Sequence, residues 1–218
     1  MNEPLTRTMS SQLTTRLRDR ILAGTYAPGS QLLQDALAAE FGVSKIPVRE
    51  ALVQLRGEGL VDIFAHRGFQ VRPLSAVELE EVFRLRLQIE PPAVAEGARR
   101  ANSADRDAAR AAFERLNLAL TTKELAKSGA LNRAFHLALI VPKLQPVSSE
   151  ILGRLHVLAQ RYVQVHLMPR GRVNRATREH AALLEAWETG KAKEAARLTR
   201  LHIEGARDDL AQYLDADK

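Results

Sequence analysis

The 218-residue sequence contains no cysteine, which excludes disulfides and metal sites built on thiolates. No apolar run approaches the roughly 18 residues that a membrane span requires. Residues 1–7 lack the apolar core of a signal peptide. No internal repeat or low-complexity tract occurs beyond alanine-rich helix surface, and after residue 75 no stretch alternates as a strand should. These absences lead to the expectation of a soluble, cytoplasmic protein with no membrane partner and with a largely helical second part.

What is present is a basic chain of ordinary hydrophobicity. The hydrophobic fraction is 45% and the formal net charge is +6. Such a balance favours polyanionic partners, although it concerns association more than fold. The length allows one large domain or two small ones.

The N-terminal third carries the sharpest pattern. Leu13, Leu17 and Ile21 recur every four residues and predict a first helix over about 10–23. Leu37 and Phe41 anchor a short helix at about 34–40. Gly42 permits a sharp turn, Ser44 is placed as an N-cap, and a second helix follows at about 45–57. Pro47 falls in its first turn, where a missing N–H is tolerated. At 100° per residue, Val48, Ala51, Leu52 and Leu55 form one stripe, and Lys45, Arg49 and Arg56 form a basic stripe about a quarter turn away. A helix with a buried stripe and a basic edge suits a major groove. Val61 and Ile63, then Phe69 and Val71, alternate as two strands around a tip of Ala65, His66, Arg67 and Gly68. A hairpin after a recognition helix makes a winged helix-turn-helix, whose tip can reach a phosphate or the minor groove.

Four stretches together resemble the DNA-binding domain of GntR-type bacterial transcription regulators. They are Ala27-Pro-Gly-Ser-Gln-Leu32, the run Leu37 to Leu52, the run Leu55 to Val61, and Arg67-Gly-Phe-Gln-Val71. The resemblance covers about residues 10–73. It implies DNA contacts by Ser44, Lys45, Pro47 and Arg49 on the recognition helix and by His66, Arg67 and Gly68 on the wing. Lys45 stands where the family usually has arginine, and lysine lacks the bidentate fork. Gln34 stands where glutamate is common.

From residue 75 the breakers divide a helical sequence. Ser75-Ala-Val-Glu78 predicts a capping box. Helices fit at about 76–90, 92–100, 104–120, 123–141, 146–167, 175–189 and 191–214. The expected breaks are Pro91-Pro92, Asn102-Ser103, Pro142, Pro146, Pro169 with Gly171, and Gly190. The expected fold is mainly α, with a winged helix-turn-helix at 1–74 and an all-α antiparallel bundle at 75–218.

Two histidines are spaced to meet in that bundle, and a third helix could add His136 and Asn132 to them. Asn132 and His136 are four residues apart and share a helix face. His180 and His202 lie ten residues before and twelve after Gly190, hence about 15 and 18 Å from the turn and at nearly one level. Neutral imidazoles with one oxygen suit a borderline divalent metal such as Zn, Ni or Mn. His156 and His166 lack a comparable partner and read as structural.

Residues 76–215 resemble the FCD-type ligand-binding domain of the FadR branch of the same family. The matching pieces are Arg86-Leu-Gln-Ile-Glu90, Asn132-Arg-Ala-Phe-His136, Glu179-His180, and Gly190 through His202. The resemblance implies a divalent metal ion held by Asn132, His136, His180 and His202, which helps to bind a small carboxylate effector. Asn132 replaces the usual aspartate, and residues 142–146 depart from the usual small-residue turn. Arg86 matches a characteristic arginine of that domain and is expected to bind effector, or else to pair with Glu90. Arg161, mid-helix, is a second expected effector contact.

The sequence thus predicts a ligand-responsive transcription regulator. It would be a homodimer on double-stranded operator DNA, most simply a repressor, and not an enzyme. Two other readings remain at this point. One is a helical metalloenzyme, against which no carboxylate is evidently placed as a general base. Glu179 neighbours His180, but adjacent helical residues point about 100° apart. The other is an architectural DNA binder without a ligand.

Overall fold

The computed structural model describes residues 8–64, 68–122, 125–141, 143–165 and 172–216. The chain divides into two compact units, Met1–Leu74 and Ser75–Lys218.

The first unit contains α1 (Met9–Leu22), β1 (Gln31–Leu32), α2 (Gln34–Phe41), α3 (Lys45–Gly57), β2 (Val61–Phe64) and β3 (Gly68–Val71). Thr8 caps α1 by accepting from the Ser11 amide. Leu13, Leu17 and Ile21 are buried, as their four-residue spacing predicts. Gly42 ends α2 at φ 65°, a left-handed conformation that glycine adopts without Cβ strain, and so the chain turns into α3. The α3 stripe of Val48, Ala51, Leu52 and Leu55 is wholly excluded from solvent and packs against α1. A fork of two 2.6 Å hydrogen bonds from Arg18 to Glu58 ties α1 to the end of α3.

The strands form an antiparallel sheet in the order β1-β3-β2, with Val61 opposite Val71 and Ile63 opposite Phe69. The two-residue β1 is an addition to the expected hairpin; Leu32 pairs with Phe69. Two residues are too few to show alternation, so only the pairing reveals it.

The second unit contains α4 (Ala76–Arg100), α5 (Ser103–Thr121), α6 (Leu125–Ile140), α7 (Pro146–Val165), α8 (Arg172–Glu188) and α9 (Ala192–Ala216). The expected break at Pro91-Pro92 does not occur: α4 runs through both prolines. Each proline removes one amide donor from the ladder. The buried stripe nevertheless continues across them, from Leu79, Val82, Phe83, Arg86 and Glu90 to Ala93, Val94, Gly97 and Ala98. Packing of that stripe, most extensively against α9 and also against α7 and α6, outweighs the two lost bonds.

The capping box at Ser75 forms only in one direction. Ser75 Oγ accepts from the Glu78 amide at 3.4 Å. The Glu78 carboxylate is drawn instead to Arg161 and Tyr162 on α7, at 2.8 and 2.6 Å. A complete box does form at the start of α5, between Asn102 and Asp105. Gly190, at φ 72°, makes the turn between α8 and α9. The expected breaks at Pro142 and at Pro169 with Gly171 lie outside the described residues, as does His166. Among the described residues no helix is long and apolar enough to cross a membrane.

Candidate functional site

The middle of the helical unit holds a cluster of imidazoles. His136 comes from α6, His156 from α7, His180 from α8 and His202 from α9. The His136 ring centroid lies 5.0 to 5.2 Å from those of the other three. His136, His156 and His180 are buried, and His202 is largely so.

Two carboxylates orient the rings. Glu179 Oε2 lies 2.7 Å from His202 Nδ1, which turns His202 Nε2 inward to within 3.2 Å of His180 Nε2. Glu90 Oε1 lies 3.0 Å from His136 Nδ1 and 3.2 Å from His156 Nε2. These last contacts are at ion-pair distance but outside hydrogen-bond geometry, and His136 Nε2 and His180 Nδ1 also lack a hydrogen-bond partner. Glu90 is fully buried, and its other oxygen meets Arg86 Nε at 3.0 Å.

The electrostatics favour the neutral form of His136, His156 and His180 around one buried anion. Burial pushes His136 down to about 3, against the opposing pull of Glu90. Burial also lowers His180, helped by His202 and His136, and lowers His156, helped by Arg86. Burial alone would raise Glu90, but Arg86, His156 and His136 together hold its carboxyl well below the usual carboxylate range.

Neutral imidazoles are the form that ligates metal. The donor atoms of His136, His180 and His202 all lie within 4.8 Å of one another. The 3.2 Å between two facing Nε2 atoms approximates the edge of a tetrahedron with bonds of about 2.0 Å, roughly 3.3 Å. Orphaned buried nitrogens and carboxylate-backed rings are what a cation held by histidine requires. Glu90, His136 and His156 form a second close group. Its carboxylate is already paired with Arg86, which weakens its attraction for a cation.

Beside the cluster lies a cavity of about 100 Å³ lined in part by Arg86, Asn132, Arg133, Arg175, His180 and His202. Among the described lining residues there are three guanidinium groups and one carboxylate, Glu179, with Arg86 paired to Glu90 and Arg175 to Glu179 and Asp209. The volume admits a compact ligand.

In the first unit, α3 exposes its basic residues. Ser44 has the extended backbone of an N-cap, but its hydroxyl makes no capping bond. Lys45 is exposed and lies 2.5 Å from Asp35 on α2. Pro47 is the third helical residue, and Arg49 is exposed one turn after Lys45.

Residues 9–71 match the family described as bacterial regulatory proteins, gntR family, and residues 81–205 match the FCD domain. The chain belongs to the GntR family and carries an FCD domain. The uncharacterized HTH-type transcriptional regulator BphR of Paraburkholderia xenovorans (strain LB400) is 28% identical over 205 residues, which is 91% of this chain and 83% of BphR. The gluconate operon transcriptional repressor of Bacillus licheniformis is 37% identical over 79 residues, 36% of this chain and 32% of that protein. In fold, McbR/YncC of E. coli superposes with a TM-score of 0.84 at 21% identity, over 96% of this chain and all of that one. The GntR-family chain is thus a DNA-binding transcription regulator with a winged helix-turn-helix followed by a helical domain.

Within this GntR-family regulator, the three histidines singled out by spacing do converge, and Asn132 lines the adjoining cavity. Arg86 pairs with Glu90 and also lines the cavity. Arg161 is buried and pairs with Glu78 at 2.8 Å. A carboxylate one helix away captures it. On the wing, Gly68 opens β3 at φ 76°, whereas His66 and Arg67 lie outside the described residues.

Three site residues escaped the sequence reading. His156 has no partner at a matching helical level, and its neighbour proves to be Glu90 on α4. Glu90 was read only as a partner for Arg86. Glu179 does point away from His180, its sequence neighbour, yet reaches His202 across the helix pair. Its spacing of 23 residues from His202 spans the Gly190 turn and is legible once that turn is taken as a hairpin.

Proposed function

We propose that this regulator is a homodimeric repressor that senses a small carboxylate through a divalent ion in its helical domain. Asn132, His136, His180 and His202 hold the ion, which is zinc, nickel or manganese. The carboxylate binds in the adjoining cavity, with Arg86 on its wall. The observation that carries this reading is the convergence of carboxylate-backed imidazoles on a small cavity lined by guanidinium groups. When bound, the ion would supply a fixed positive centre for the acid. Glu179 and Glu90 hold the Nδ1 sides of His202 and His136, so that their Nε2 atoms face inward.

The DNA half works through Ser44, Lys45, Pro47 and Arg49, with His66, Arg67 and Gly68 on the wing. Two such heads in a dimer would meet half-sites about one helical turn apart. The effector regulates only insofar as it binds one arrangement of the heads more tightly than the other. An operator-bound role implies the cytoplasm. A catalytic role finds no support, because both carboxylates near the histidines are occupied, Glu90 by Arg86 and Glu179 by His202 and Arg175.

The test is a thermal-shift screen of small carboxylic acids with and without Zn, Ni and Mn ions. At least one acid should raise Tm more with metal than without. The double variant His180→Ala/His202→Ala should lose that coupling and retain no metal by elemental analysis. Unchanged metal content in the double variant would refute the assignment of the ligands.

A further inference from the structure

The outward face of α3 carries two exposed apolar side chains, Ile46 and Val53. Taking the buried stripe of Val48, Ala51, Leu52 and Leu55 as inward, 100° per residue sets Ile46 almost diametrically opposite. Val53, seven residues on, shares that outer face. Ile46 is 71% exposed and Val53 48% exposed. Single exposed apolar residues are ordinary. Here two β-branched side chains line up along the outward face of the recognition helix, with exposed Arg49 on one flank and exposed Glu50 on the other. Ile46 is the second residue of the helix, in the turn that reaches deepest toward base edges.

Its neighbours make the apolar position more telling. Lys45 is at ion-pair distance from Asp35, which draws its ammonium toward α2. Ser44 offers a hydroxyl with no capping bond, suited to a phosphate. The Ile46 side chain carries no donor or acceptor. The major groove presents one apolar group to such a side chain, the 5-methyl of thymine.

We propose that Ile46 is a specificity-determining residue that reads a thymine methyl in each half-site, beside a base contact by Arg49. Removing the methyl leaves Watson–Crick pairing and the phosphate contacts untouched. The loss is therefore that of one buried methyl group, about fourfold in affinity.

The test uses the full chain. A duplex is first selected from a random library by the wild-type protein. Each thymine is then replaced, one at a time, by deoxyuracil, which lacks only the methyl. Wild-type protein should lose about fourfold at one thymine per half-site. The Ile46→Ala variant should bind the thymine and uracil duplexes equally, with an unchanged Tm because the side chain is exposed. Val53→Ala should keep the wild-type response. The proposal is overturned if no thymine shows methyl dependence, if the dependence persists in Ile46→Ala, or if it vanishes only in Val53→Ala.

Discussion

At the scale of residues, Glu90 and Glu179 do similar work under different conditions. Each faces the Nδ1 of a histidine, but Glu90 is fully buried with Arg86 beside it, whereas Glu179 is 35% exposed. Glu179→Gln should weaken metal binding by about tenfold, because it loosens the hold on the His202 ring, and leave the Tm of metal-free protein nearly unchanged. Glu90→Gln should weaken metal binding and also lower that Tm, because it leaves the Arg86 guanidinium buried without its counter-charge, a loss of about 3–5 kcal/mol. Competition with a chromophoric chelator reads the first effect and a melting curve the second. Equal Tm losses in the two variants would contradict the difference in burial. Residue-level roles were only partly legible in the sequence. His180 and His202 could be matched by helical level and His136 only by the face it shares with Asn132, whereas Glu90 and His156 face each other between α4 and α7 and carry no spacing signal.

At the scale of elements, α4 is the organising piece of the helical unit. Its Gly97 lies against the end of α6, where an added Cβ would stand 2.1 Å from the Leu139 carbonyl oxygen. That same oxygen accepts from Trp187 Nε1 of α8 at 2.8 Å, so three helices meet at one backbone atom. Gly97→Ala raises intrinsic helix propensity and should nonetheless destabilise the protein. Overpacking there should cost about 1–3 kcal/mol, seen as a lower denaturant midpoint. A stabilised variant would mean that α4 and α6 can part without penalty. The same element shows why local rules mislead. Pro91 and Pro92 are helix breakers by backbone chemistry, yet the burial stripe from Leu79 to Ala98 spans them. The sequence signal used there was the proline pair alone, which is why a break was expected.

At the scale of the whole molecule, the buried histidines and Glu90 make metal-free protein sensitive to acid. His136 titrates in the folded chain at about 3, far below its ordinary value. Between about pH 6.5 and 3 the unfolded chain therefore binds more protons at this site than the folded one, and stability falls as pH falls. His156 and His180 are shifted in the same direction. Glu90, held low, acts with the same sign below the ordinary carboxylate range, because folding is weakened as the acid end protonates the unfolded chain first. Each group contributes at most about 1.4 kcal/mol per pH unit. Chelator-treated protein should thus lose Tm steadily from pH 7 to 4. The triple variant His136→Phe/His156→Phe/His180→Phe should show a flatter profile. A flat profile in the unsubstituted protein would contradict neutral burial of the rings.

The sequence by itself determined what local chemistry can encode. Apolar spacing set the helices, Gly42 and Gly190 set two turns, strand alternation set β2 and β3, and matched distances from Gly190 brought His180 and His202 to one level. The winged helix-turn-helix was readable because its signals lie within a few residues of one another. Only the tertiary structure decided what depends on neighbours far apart in the chain. It kept α4 whole through two prolines, drew Arg161 to Glu78, and set Glu90 between His136 and His156. The physical reason is that burial energy and charge pairing are fixed by which helices pack together. Spacing along one helix says which residues share a face, but not what that face meets.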